Sequence, residues 1–478
     1  MRNLTMMTDL YQLTMMYGYY KTGIMNKEAV FDLFFRKSRQ DSAYSIAAGL
    51  EQVIDYINNL HFEKNDLEYL DSLKLFDAGF LDLLRELRFT GDIYAVPEGT
   101  VVFPNEPILR VKAPLFQAQL IETALLNIIN HQSLIATKAS RVVYAAQGGS
   151  VLEFGLRRAQ GPDAGIYGAR AAIIGGCTAT SNVMTGQLFG IPVKGTHSHS
   201  WVMSFPDELT AFRAYAEAFP DNCLLLVDTY DTLNSGVPNA IKVFRELREK
   251  GYEPLGIRLD SGDLAYLSKA ARKMLDEAGF KDAKIVASND LDEELIWDLK
   301  AQGAAIDIWG VGTALITSKD CPAMNGVYKM SAEESEGRLI PKIKISENSD
   351  KITNPGYKKV FRIYNNQRKA IADLITLEDE EIDTSKPLTI FDPVDTWKRM
   401  TLTNYTVREL LVPIFKEGKQ VYQTPSLTEI QKYAKEELDT LWDEYKRLKK
   451  PHKYKVDLSQ KLYDLKEKLL KEYSFEKP

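Results

Sequence analysis

A fixed step of 30 residues constrains this chain more than any other feature. The apolar run Cys223-Leu224-Leu225-Leu226-Val227 ends at Asp228, Leu255-Gly256-Ile257-Arg258-Leu259 ends at Asp260, and Lys284-Ile285-Val286-Ala287 ends at Ser288. Asp228 to Arg258 and Arg258 to Ser288 are each 30 residues. A fourth run, Ile306 to Trp309, ends at Gly310. Each gap holds one helix-sized segment: Pro238–Lys250, Leu264–Ala278 and Leu291–Ala301. In the second of these, Leu264, Leu267, Ala271, Met274, Leu275 and Ala278 recur at helical spacing. Repeated strand–helix units of this kind build a parallel sheet, open or closed, with polar residues gathered at the C-terminal ends of the strands. The spacing alone leaves open sheet and barrel both possible. The regular step and the length of the segment favour an irregular parallel α/β (TIM-like) barrel, expected over residues 136–384, with its chemistry at that same end.

The flanks read differently. Residues 1–135 mix helical and strand-like patterns: a helix begins at Leu10, capped by Thr8 or Asp9, and a strand runs from Ala29 to Arg36. Between Tyr94 and Leu115 short apolar runs alternate with prolines, as in a small β-structure. Residues 385–478 open on an extended segment, Pro387 to Asp392, and continue into a long charged helix expected to reach Lys449. The two ends are expected to form one second α/β domain. Composition narrows the class. A net charge of −6 argues against a predominantly nucleic-acid-binding surface. No run of ~18 apolar residues suggests a membrane span, and the start of the chain lacks a signal-peptide pattern. Cys177, Cys223 and Cys321 lie far apart with no CxxC pair, so neither a zinc site nor a disulfide framework is expected. A cytoplasmic enzyme is the expectation.

Four segments carry the residue types of a chemical site. Phe154-Gly155-Leu156-Arg157-Arg158 ends a strand-like run on two guanidinium groups, which can grip a phosphate or carboxylate in bidentate fashion or form surface ion pairs. Gly195-Thr196-His197-Ser198-His199-Ser200 holds two of the five histidines. At most one of the two is expected to face a common site, where a catalytic role is favoured over that of a hydrogen-bonded loop histidine. In Arg258-Leu259-Asp260, alternation puts the cation and the acid on one face of a strand. Gly310-Val311-Gly312-Thr313 offers small residues whose backbone N–H groups could approach a phosphate, or merely form a turn.

Together these segments resemble the nicotinate phosphoribosyltransferases, type II phosphoribosyltransferases. The likeness runs from Thr8-Asp9-Leu10-Tyr11-Gln12 to Gly326-Val327-Tyr328-Lys329 and rests chiefly on Gly155–Asp163, Gly195–Ser200 and Arg258–Asp263. It implies transfer of the phosphoribosyl group of phosphoribosyl pyrophosphate to nicotinate, coupled to ATP and Mg²⁺, as the entry step of NAD salvage. By motif position, His199 matches the histidine that ATP phosphorylates. Arg258 and Thr196 match groups that recognise the pyridine carboxylate, and Asp228 an acid of the pocket. Arg157 matches a substrate-anion contact, while Gly310, Gly312 and Thr313 match the cradle of the 5-phosphate. Ser200, Asp260, Ser288 and Asn289 are expected to touch substrate, and Tyr11 to stack on the pyridine from the partner subunit of a homodimer with shared sites. An unpaired Arg258 would favour nicotinate over nicotinamide by ~10⁴ or more.

Nicotinamide and quinolinate phosphoribosyltransferases of the same architecture are the nearest alternatives. Nicotinamide enzymes resemble this chain at the arginine strand but tend to carry an acid where His197 stands. A non-catalytic nucleotide sensor would not be expected to keep His199, Arg157, Arg258 and Asp260. A Schiff-base aldolase would have Lys194 as its only tempting lysine.

Overall fold

The computed structural model describes residues 2–37, 42–348 and 351–473. The chain divides into two compact units, Ile135–Pro322 and a second formed by Met1–Leu134 with Ala323–Pro478.

The unit Ile135–Pro322 contains the repeated strands. They are β1 (Ser150–Glu153), β2 (Ala179–Thr180), β3 (Leu224–Leu226), β4 (Gly256–Leu259), β5 (Lys284–Ala287) and β6 (Ile308–Val311). They form one all-parallel sheet in the order β2-β1-β6-β5-β4-β3. The helices Val237–Glu249, Leu264–Glu277 and Glu293–Ala301 fall in the three expected gaps. Asp263 and Asp292 start the latter two by accepting from the backbone N–H groups of Tyr266 and Leu295. Val243, Phe244 and Leu247 of the first, and Ala271 and Leu275 of the second, are buried.

The ladder stops short of full closure. Beyond β2, Val193 adds a single parallel bridge to Thr180. Between that segment and β3 no backbone pairing occurs among the described residues; side chains span the gap. The Thr196 hydroxyl donates to the Leu224 carbonyl at 2.6 Å, and the Leu226 N–H donates to His197 Nε2 at 3.3 Å.

Two details differ from the sequence expectation. The last strand is Ile308–Val311, so Gly310 lies within it rather than after it. A Cβ there would stand 2.6 Å from the Phe154 ring, so the glycine makes room for that ring. The boundary expected at 384 falls instead after Pro322. Past that point the strand–helix rhythm gives way to antiparallel pairing: Gly326–Ser335 pairs with Glu28–Phe35, and Lys358–Tyr364 pairs with Ala370–Leu377.

In the other unit, a seven-stranded antiparallel sheet joins the chain ends directly, because Asp92–Ala95 pairs with Val412–Lys416. The charged C-terminal helix runs only from Leu427 to Thr440, where Leu441 turns extended. One of its charges points inward. Glu437 is buried and bonds Arg362 at 2.9 Å and Arg408 at 2.8 Å, while Arg362 also pairs with buried Asp373 at 2.7 Å. Among the described residues no helix is long and apolar enough to cross a membrane.

Candidate active site

The C-terminal ends of β3, β4 and β5 bring their polar residues into one bonded cluster. Arg258, on β4, donates from Nε to Ser288 Oγ at 2.9 Å and from Nη2 to Asp260 Oδ1 at 3.0 Å. The Ser288 hydroxyl closes the triangle by donating to the same Asp260 oxygen. Asp228 follows β3 with its side chain 1% exposed. Its Oδ2 accepts from the Asp260 N–H at 2.8 Å and from the Ser261 hydroxyl at 2.6 Å. Its Oδ1 is buried without a hydrogen bond. The His199 imidazole stands near that oxygen, its Nε2 4.0 Å from it and 3.7 Å from Asp260 Oδ2. On its other side, His199 Nδ1 is 3.2 Å from Thr229 Oγ1. The imidazole is therefore held by a hydroxyl at one nitrogen and faces two carboxylates at the other. It remains open to solvent, at 40% side-chain exposure.

His197 and His199 part ways because the chain turns between them. Ser198 is extended and His199 opens a short helix, His199–Met203. His197 is buried, with its ring 4.7 Å from that of Tyr215. Burial pushes its imidazole down to about 4, and the neighbouring Arg258 and His199 act in the same direction. A neutral ring whose Nε2 accepts from Leu226 carries its proton on Nδ1, which faces the Ser198 carbonyl at 3.4 Å. His197 thus belongs to the seam of the sheet.

The remaining expected residues are distributed around this cluster. Thr196 lies at the seam, its one hydroxyl proton committed to Leu224 O. Ser200 is exposed and shares a hydrogen bond with the Ser198 hydroxyl at 2.7 Å. Asn289 is exposed and adopts φ +94°, followed by Asp290 at φ +44°, an uncommon pair of left-handed non-glycine residues directly after the buried Ser288. Gly312 lies beside the Phe154 carbonyl, 3.2 Å from where a Cβ would stand, and Thr313 begins the short helix Thr313–Ile316. Arg157 and Arg158 form a helical turn after β1, both exposed. Tyr11 belongs to the other unit. On the helix Leu10–Thr22 it is 48% exposed, whereas Gln12, Leu13 and Met16 are buried. Thr229 and Ser261 were not anticipated. Each directly follows a strand-end acid, and that adjacency was the available signal.

Asp228 and Asp260 are two carboxylates, one with a buried acceptor oxygen left over. That fits an Mg²⁺ ion held through one or two carboxylates and substrate phosphates. Among the described residues no group of three or more His, Cys, Asp or Glu could hold a metal.

A family model described as the nicotinate phosphoribosyltransferase (NAPRTase) N-terminal domain matches residues 6–130, and one described as the nicotinate phosphoribosyltransferase C-terminal domain matches residues 357–466. A Bacillus subtilis nicotinate phosphoribosyltransferase is 51% identical over 459 residues, covering 96% of this chain and 93% of that protein. The chain belongs to the nicotinate phosphoribosyltransferase family. Both family models fall in the unit built from the chain ends; the near-complete alignment to the Bacillus protein extends family membership over the strand-end cluster. The crystal structure of human nicotinic acid phosphoribosyltransferase superposes with a TM-score of 0.85 at 32% identity, covering 97% of this chain and 99% of that one. A nicotinate-nucleotide pyrophosphorylase from Pyrococcus furiosus shares the fold, with a TM-score of 0.70 at 23% identity.

Proposed function

We propose that this enzyme transfers the phosphoribosyl group of phosphoribosyl pyrophosphate to nicotinate, giving nicotinate mononucleotide and pyrophosphate in NAD salvage, with ATP hydrolysis coupled to the transfer. The observation that carries the reading is the cluster of His199, Asp228, Asp260, Arg258 and Ser288 at adjacent strand ends, in a chain that aligns almost throughout with a nicotinate phosphoribosyltransferase.

Departure of pyrophosphate leaves positive charge at C1 of the ribose, and the pyridine nitrogen attacks that carbon. The protein needs mainly to align the two reactants and stabilise the leaving group. Arg258 keeps N–H groups beyond those given to Ser288 and Asp260, and these take the nicotinate carboxylate. Thr196 donates to that carboxylate once its hydroxyl releases the Leu224 carbonyl. Arg157 grips a phosphate or pyrophosphate oxygen, while Gly310, Gly312, Thr313, Ser200 and Asn289 line the ribose-phosphate side. Mg²⁺, when bound, supplies charge neutralisation on the departing pyrophosphate, with Asp228 and Asp260 as its protein contacts.

His199 is the phosphate acceptor. One ring nitrogen attacks the γ-phosphorus of ATP and ADP leaves; water later cleaves the phosphoimidazole. The ring is steadied at both nitrogens, by Thr229 at Nδ1 and by the two carboxylates facing Nε2. Tyr11 reaches the pyridine from the partner subunit, so the active form is a homodimer with shared sites. The exposure of this aromatic ring on its own helix supports that role. The enzyme works in the cytoplasm, as buried Cys177 and Cys223 suit a reducing compartment.

ATP labelled in its γ-phosphate tests the reading. The wild-type enzyme should retain acid-labile label and release it faster with nicotinate and phosphoribosyl pyrophosphate. His199→Ala should retain none; label persisting on that variant would refute the assignment.

A further inference from the structure

Glu153 is an ionisable group that the proposed chemistry leaves unused. It ends β1, its residue is 0% exposed, and it has no cationic partner among the described residues. Burying a carboxylate without a cation costs several kcal/mol unless hydrogen bonds compensate. Here both oxygens are engaged. Oε1 accepts from the Gly155 N–H, and Oε2 accepts from the Thr180 hydroxyl at 2.6 Å. Burial raises the carboxyl above its usual range, while these two bonds act against the rise.

The bonds continue beyond Glu153. The Asn182 N–H donates to Thr180 Oγ1 at 3.0 Å, and the Asn182 side-chain amide donates to the Gly165 carbonyl at 3.2 Å. Gly155 opens the loop that carries Arg157 and Arg158, and Gly165, in the first turn of the helix Pro162–Ile174, stands just beyond its far end. A single chain of hydrogen bonds, from Gly155 through Glu153, Thr180 and Asn182 to Gly165, therefore fastens the loop at both ends. Between the fastenings, Arg157 and Arg158 are exposed, and neither guanidinium meets an acceptor among the described residues. Gly155 itself has no room to shift toward a side chain, since a Cβ there would lie 2.6 Å from Ile316 Cγ2 and 2.8 Å from Glu153 Oε1.

We propose that Glu153 is a positioning residue that presets the Arg157 loop for the phosphate groups of phosphoribosyl pyrophosphate. The inference rests on the reading of Arg157 as a substrate-anion contact. A carboxylate is required because it alone offers two acceptor oxygens with no donor of its own. Glutamine has nearly the same shape but keeps one acceptor oxygen, for the Gly155 N–H; its NH₂ then faces the Thr180 hydroxyl, which must turn from donor to acceptor while it already accepts from the Asn182 N–H, and that link weakens.

The test compares Glu153→Gln, Arg157→Ala and the double variant by steady-state kinetics with phosphoribosyl pyrophosphate as the varied substrate. Arg157→Ala should raise KM for it by about tenfold or more, as expected for a lost charge-assisted contact. Glu153→Gln should raise the same KM by about three- to tenfold, leave kcat within about threefold, and add less than about twofold in the Arg157→Ala background. Thr180→Val should repeat the KM effect and Thr180→Ser should restore it, which keeps the test decisive if Glu153→Gln does not fold. An unchanged KM in Arg157→Ala would overturn the reading of Arg157 and the inference with it. A raised KM in Arg157→Ala, together with either no effect or a fully additive effect of Glu153→Gln and Thr180→Val, would overturn the Glu153 inference alone.

Discussion

Arg258→Lys should reduce the preference for nicotinate over nicotinamide, and the structure sets the size of the effect. Arginine has five N–H donors in a planar fork. In this site one goes to Ser288 and one to Asp260, leaving three for a substrate carboxylate. Asp260, at 3.0 Å, already compensates part of the guanidinium charge. The wild-type preference for the acid is therefore expected near ~10²–10³, below the ~10⁴ that an unpaired cation would give. A lysine ammonium cannot bond Ser288 and Asp260 and still offer two parallel donors to a carboxylate. It should lose one or two charge-assisted bonds worth about 1.5–3 kcal/mol each, hence about 10²-fold in kcat/KM for nicotinate. Nicotinamide presents a neutral carbonyl, whose bond is worth about 0.5–1.5 kcal/mol, so its kcat/KM should fall by about tenfold or less. The assay is kcat/KM for both substrates at saturating phosphoribosyl pyrophosphate and ATP, with products identified by mass. A variant whose acid-to-amide ratio stays within about twofold of wild type would refute the assignment of Arg258 to the carboxylate.

Acid should weaken the fold through His197. Its imidazole stands at about 4 in the folded chain against ~6.5 unfolded, so between these values the unfolded state binds more protons. The neutral-pH stability is then intact above ~6.5 and declines as pH falls toward about 4, losing ~2 kcal/mol by pH 5. His197→Gln keeps an acceptor for the Leu226 N–H and does not titrate, so denaturation midpoints at pH 7 and 5 should differ less in that variant. Gly310→Ala places a Cβ 2.6 Å from the Phe154 ring and should destabilise by ~1–3 kcal/mol, read as a lowered melting temperature. Mixing inactive Tyr11→Ala with inactive His199→Ala under conditions of subunit exchange should restore part of the activity, because a mixed dimer holds one site with both residues intact. Exchange without recovery would contradict the shared site.

The parts of the molecule that repeat were readable. The 30-residue step located β3, β4 and β5 and their helices because each unit obeys the same local rules. The strand-end acids, Arg258 and Ser288 followed directly. Gly310 was placed outside its strand because glycine commonly ends one, and only the Phe154 ring, 156 residues earlier, explains why it does not here. The domain boundary was set too late for a related reason: apolar runs past residue 323 look like the preceding strands, and their antiparallel partners, such as Glu28–Phe35, lie some 300 residues away. Nothing in the charged helix marks Glu437 for burial, because the cations that draw it inward, Arg362 and Arg408, come from distant strands. The two histidines were expected to differ in role, and the structure sets them apart in place, His197 buried and His199 partly exposed. Their separation comes from the helix beginning at His199 and from the bond between His197 and Leu226, which no local pattern displays.

The most direct measurement is the product formed from phosphoribosyl pyrophosphate, ATP and Mg²⁺ with equal concentrations of nicotinate and nicotinamide, followed by mass. The expected result is nicotinate mononucleotide and pyrophosphate, with ADP and phosphate released in step. Nicotinamide mononucleotide as the main product, or no mononucleotide at all, would contradict it.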